Sequence, residues 1–186
     1  MALFDYVSKT NKIYYAAGIE WQKGETIDLN INLNELKGRW STKSESDVTK
    51  SSAKMQMQYI QSKLRNFKKY SRKQYYIVVL PDHLFDDYLN KEGVEGFIIA
   101  KNNAMDDNVL YIRESNTDLN VPAHELGHCN GLNEFAIDYY KANKNYEYDE
   151  RTKNTTNIMG YAIFRCDFKI DQIKRIRQNI KTRITK

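Results

Sequence analysis

The stretch H-E-L-G-H-C-N-G-L-N-E at residues 124–134 constrains this chain more than any other. His124 and His128 stand four apart, a spacing that places two side chains on one helix face, one turn above the other. Two imidazoles so placed can share one Zn²⁺, and Glu125 beside them can serve as general base. Gly131 can end such a helix, because glycine takes a left-handed turn that bulkier residues resist. Upstream, Asn120 is a candidate cap, and Pro122 falls in the first turn, where its missing N–H costs nothing. The bland alternative is a helix that happens to carry two histidines.

Two histidines do not complete a catalytic zinc site, which usually takes three protein ligands and leaves a fourth position to water. Glu134 lies just past the glycine that reverses the chain, and a carboxylate oxygen binds zinc at about 2.0–2.2 Å. The remaining histidine, His83, is expected in a loop after Pro81, with nothing to fix it near the helix.

The rest of the chain reads as a scaffold. Residues 12–34 alternate, and Ile27, Leu29, Ile31 and Leu33 predict one half-buried strand with Asp and Asn on its other face. Trp21 and Trp40 flank it as core candidates. Over residues 44–70, Ala53, Met57, Ile60, Leu64 and Phe67 form one apolar stripe of a long helix, capped by Ser46 or Asp47. The continuous apolar runs at 75–80 (YYIVVL) and 96–101 (GFIIAK) predict central strands buried on both faces. The shorter and more polar Val109–Arg113 predicts an edge strand. Residues 102–108 are a loop, 135–142 a turn or two of helix, and 143–156 a polar surface loop. A closing helix near 170–184 carries Ile173, Ile176, Ile180 and Ile184 on one side.

With N-I-M-G-Y at 157–161 downstream, the motif resembles the metzincin clan of zinc peptidases, whose pattern is H-E-x-x-H-x-x-G-x-x-H followed by a Met-turn. The expected order of elements is similar over roughly residues 27–184: strand, long helix, three strands, active-site helix, Met-turn, C-terminal helix. The resemblance implies His124 and His128 as zinc ligands, Glu125 as general base and Met159 as the apolar floor under the metal. It places Tyr161 where some members have a tyrosine contacting the metal or the transition state. It also implies that an extended peptide substrate pairs along Val109–Arg113. The departure is Glu134, where the family has His or, less often, Asp. Its extra negative charge predicts a less acidic bound water and an altered metal preference. Glu147, nineteen residues after His128, has the spacing of the third ligand in gluzincin peptidases, but it leaves Gly131 and N-I-M-G-Y unexplained.

Length and composition fit this reading. A chain of 186 residues with 41% hydrophobic and 12% aromatic residues suits one globular domain and argues against disorder. The expected fold is a two-lobed α/β (α+β) single catalytic domain. Residues 1–131 would hold a twisted mixed sheet, the long helix and the active-site helix; residues 132–186 would hold the Met-turn and C-terminal helix. The net charge of +5 sits mainly in residues 63–73 and 174–186, which coincide with amphipathic helices, so solvated helix faces explain it. Nucleic acid is the weakest partner class, and a monomer is the expected state. No run of 18 apolar residues predicts a membrane span. No basic, then apolar, leader opens the chain, which suggests a mature secreted fragment or an effector exported by a dedicated machine. Two cysteines are too few for a disulfide scaffold; Cys129 points about 100° away from His128 and reads as a core thiol, with a bridge to Cys166 as the alternative.

The functional expectation is a zinc-dependent endopeptidase. Alternatives are a zinc amidase or toxin effector cutting another amide, such as a cell-wall peptide crosslink, and a catalytically silent binding module. The last is favoured by Glu134 standing where the family has His.

Overall fold

A computed structural model describes residues 3–29, 45–89, 94–99, 108–133, 156–160 and 167–185. Among these, five helices and a three-stranded mixed sheet form an α/β arrangement. The helices are α1 (Leu3–Tyr14), α2 (Glu45–Arg65), α3 (Asp82–Leu89), α4 (Val121–Cys129) and α5 (Ile170–Thr185). The strands are β1 (Tyr76–Leu80), β2 (Gly96–Ile98) and β3 (Val109–Arg113).

The strand order is β1-β3-β2, with β1 parallel and β2 antiparallel to β3. This corrects the expected placement. Val109–Arg113 is the central strand and all five of its residues are buried, whereas β1 and β2 flank it and are largely half-buried. Arg113 is what misled: its charge reads as an edge signal, yet it is internally satisfied. The guanidinium pairs with Asp86, lies 5.1 Å from the Phe85 ring centre, and donates from Nε to the Val94 carbonyl at 3.0 Å.

Residues of β3 alternate between two cores, as the period of a strand requires. Leu110 and Ile112 face a core built with Tyr6, Tyr14, Leu126 and Ile176, from α1, α4 and α5. Val109 and Tyr111 face a second core with Met57, Ile60, Leu64 and Phe85, from α2 and α3. Helices therefore cover both faces of the sheet, and α4 is pressed onto the first core.

Several other expectations are corrected. Residues 3–17 are helical, as α1 followed by a 3₁₀ turn (Tyr15–Ala17), so the alternation from residue 12 does not mark a strand. Tyr6, Thr10, Ile13, Tyr14 and Ala17 bury one face at helical spacing. Residues 27–29 form no strand; 30–34 and Trp40 lie outside the described residues. Trp21 packs half-buried against the first core. Helix α2 is described from Glu45, and the expected cap at Ser46 or Asp47 rests on side chains outside the described ones. Its Met57, Ile60 and Leu64 are buried as the stripe predicts. His83 lies on α3, in helix where a loop was expected. In α5, Ile176 is fully buried and Ile180 half-buried, while Ile184 is 55% exposed at the far end. Among the described residues no helix is long and apolar enough to cross a membrane.

Candidate functional site

Helix α4 is buried along nearly its whole length, which is unusual for nine residues that include two histidines and a glutamate. Its first turn is not served as expected. Asn120 makes no side-chain cap bond, and its buried Oδ1 has no partner among the described residues. Asp118 acts instead: its carboxylate accepts the Asn120 N–H at 2.8 Å and its carbonyl accepts the Val121 N–H at 3.2 Å.

The other end closes as a Schellman turn. Gly131 sits at φ +78°, its N–H reaches the His128 carbonyl at 2.9 Å, and the Leu132 N–H reaches the Gly127 carbonyl at 3.0 Å. The turn has a consequence for the site. It brings the Leu132 carbonyl to His128 Nδ1 at 2.9 Å. His124 is held in the same manner, with Nδ1 2.8 Å from the Ile158 carbonyl.

A carbonyl oxygen only accepts, so each histidine carries a proton on Nδ1. In the neutral rings both Nε2 atoms are then unprotonated, and they stand 3.0 Å apart with the ring planes at 86°. At that distance the two nitrogens are suited to holding a cation between them. A proton would take that place at the expense of charging one ring; a metal ion takes both nitrogens as ligands. Imidazoles held through Nδ1–H to carbonyls, with Nε2 presented, are the usual arrangement around a metal. The two imidazoles suit zinc on this ground, with a third ligand still required.

Met159 is buried against the same helix. A Cβ on Gly127 would overlap the Met159 sulfur and come 3.5 Å from Leu132. The turn that carries Met159 is tied internally, because Asn157 Oδ1 accepts the Met159 N–H at 3.1 Å and the Gly160 N–H reaches the Asn157 carbonyl at 2.9 Å. Glu125 is buried and lies over β2: a Cβ on Gly96 would come 3.2 Å from its Oε1. Cys129 is a fully buried core residue, as expected of a thiol turned away from His128.

The structure thus brings His124, His128, Glu125 and Met159 onto one short helix and the turn beneath it. Glu134, Glu147, Tyr161 and Cys166 lie outside the described residues. Among the described residues no group of three His, Cys, Asp or Glu could hold a metal, and His83 does not join the pair. Gly127 and Gly96 were missed by the sequence reading, although each carried a signal. A glycine inside a helix costs about 1 kcal/mol relative to alanine, and one in a strand marks a close approach.

Behind α4, burial pushes the Tyr14 phenol well above its ordinary pKa, with Cys129 and Tyr75 adding to the rise. Tyr75 is raised too, chiefly by burial, against the lowering effect of Arg183. Both are therefore neutral hydrogen-bond donors here: Tyr14 to the Ala123 carbonyl at 3.1 Å, Tyr75 to Asn130 Oδ1 at 2.6 Å. Compared with protein-family models, curated proteins and solved structures, the chain matches none.

Proposed function

We propose that this chain is a zinc-dependent endopeptidase with a site of the metzincin kind. The observation that carries the reading is the pair of Nε2 atoms 3.0 Å apart, on two rings whose Nδ1 atoms each face a backbone carbonyl. His124 and His128 would hold the ion, with Glu134 preferred over Glu147 as third ligand. Zinc bound there supplies Lewis acidity, polarising the scissile carbonyl and lowering the pKa of water from 15.7 toward about 7.

The chain's own residues do the rest. The Glu125 carboxylate takes a proton from the attacking water as its oxygen bonds to the carbonyl carbon. Glu125 then returns that proton to the amide nitrogen as the C–N bond breaks, leaving a carboxylic acid and an amine. Tyr161, in this reading, donates a hydrogen bond to the oxyanion. Met159 keeps the underside of the helix apolar and packed.

The substrate track moves from the expected strand. β3 is flanked on both sides, so Val109–Arg113 has no edge to offer an extended peptide. Among the described residues β2 pairs on one side only, and Glu125 lies over its Gly96. A peptide added along β2 would pass the general base.

Glu125→Gln tests the reading. The variant should still bind about one zinc per chain while losing on the order of 10²–10⁴-fold in peptide-library cleavage. A zinc-loaded variant that cleaves as fast as the parent would sink the proposal, as would a parent that takes up no zinc. A parent that binds zinc but cleaves nothing would point to the silent binding module that Glu134 favours.

A further inference from the structure

We infer that α5 is the positioning element for both histidines, acting through Gln172 on His124 and through Asn179 on His128. The inference rests on the reading of that pair as metal ligands. Gln172 acts through the Asn157 side chain and Asn179 through the Asn130 carbonyl, each in the segment whose carbonyl faces an imidazole.

The His128 side begins with the carbonyls of the last helical residue of α4 and of the turn that follows it. Three residues of α5 spaced i, i+4, i+8 meet them in reverse order. Arg175 donates to the Gly131 carbonyl at 3.3 Å, Asn179 to Asn130 at 2.6 Å and Arg183 to Cys129 at 3.2 Å. Asn130 is the hub of this contact and is fully buried. Its Nδ2 donates to the Leu126 carbonyl at 2.7 Å, its Oδ1 accepts from Tyr75, and its carbonyl accepts from Asn179. With Asn130 fixed on every polar atom, the turn through Gly131 has one course. That course delivers the Leu132 carbonyl to His128.

The His124 side uses the other end of α5. Gln172 is buried, and its Oε1 accepts from Asn157 Nδ2 at 2.7 Å while its Nε2 donates to Asn157 Oδ1 at 3.3 Å. Asn157 in turn accepts the Met159 N–H, so the Ile158 carbonyl between them is aimed at His124. Gln172 and Asn179 are seven apart, two turns along one side of α5. One helix thereby sets the tautomer of both rings through the segments that face them. Backbone partners of this kind are worth about 10–100-fold in metal affinity.

The experiment uses the full chain with volume-matched variants Gln172→Met and Asn179→Leu, and Ile176→Val as a control that weakens the same helix through packing alone. The first readout is the ring ¹⁵N signals of metal-free protein at about pH 8, above the ordinary histidine range. Asn179→Leu should shift the His128 nitrogens toward a mixture of tautomers and leave His124 alone; Gln172→Met should do the converse. The second readout is zinc affinity by chelator competition, which should fall about 10–100-fold in each variant and stay unchanged in the control. Ring signals that move no more than in Ile176→Val would overturn the inference and reduce both amides to fold-holding residues. If Gln172→Met does not fold, Asn179→Leu decides alone. A parent that binds no zinc would defeat the proposed function while the metal-free ring signals still judge the positioning.

Discussion

Gly127 shows how a single missing methyl group can shape a site. Inside a helix, replacing glycine by alanine ordinarily adds about 1 kcal/mol of stability. Here the new Cβ would overlap the Met159 sulfur, with Leu132 at 3.5 Å on the other side. Met159 is a flexible side chain, but it is fully buried, so moving it aside would disturb the packing beneath α4. Overpacking of this kind costs about 1–3 kcal/mol, enough to reverse the propensity gain. Net of the propensity gain, Gly127→Ala should therefore lower stability by up to about 2 kcal/mol in urea unfolding. Adding Met159→Ala should make the same Gly127→Ala step neutral or favourable. A step that costs equally in both backgrounds would show that the sulfur is not what the glycine makes room for.

The strands carry the clearest contrast between what their residue types announce and where they lie. VLYIR ends in an arginine and looks like an edge, whereas YYIVVL is apolar throughout and looks central; the sheet reverses them. Arginine was misleading because its partner, Asp86, sits 27 positions away on α3, and periodicity within one strand has no view of it. The buried faces should reveal themselves energetically. Leu110 is fully buried at the centre of the first core, so Leu110→Ala should cost about 2–5 kcal/mol. Val79 on β1 is 46% exposed, and Val79→Ala should cost less than about 1 kcal/mol. Chemical denaturation of the two variants measures the difference directly, and equal losses would contradict a central β3.

What was legible at a distance was local: the two histidines at helical spacing, the glycine that ends their helix, the apolar stripe of α2 and the core face of α5. Each depends on neighbours within a few positions. The donors that hold the site were not legible, since Gln172, Asn179 and Tyr14 reach it from 15, 49 and 109 residues away. Tyr14 joins the N-terminal helix to α4, with its ring edge-on to Phe168 at 4.8 Å and its hydroxyl on the Ala123 carbonyl, next to His124. That contact predicts how the molecule yields to alkali. Burial raises the Tyr14 pKa above its ordinary value of 10.0, so the folded chain holds this proton more tightly than the unfolded chain does. The stabilisation is fully present below about pH 10 and is lost as pH rises beyond it, by about 1.4 kcal/mol per pH unit for each such tyrosine. Tyr14→Phe should cost about 1 kcal/mol near neutral pH, for the lost hydrogen bond, and should flatten the loss above pH 10. Urea unfolding of parent and variant at pH 7, 10 and 11 separates the two effects. Parallel alkaline slopes would mean that Tyr14 ionises as readily folded as unfolded, and that the N-terminal helix does not seal the back of α4.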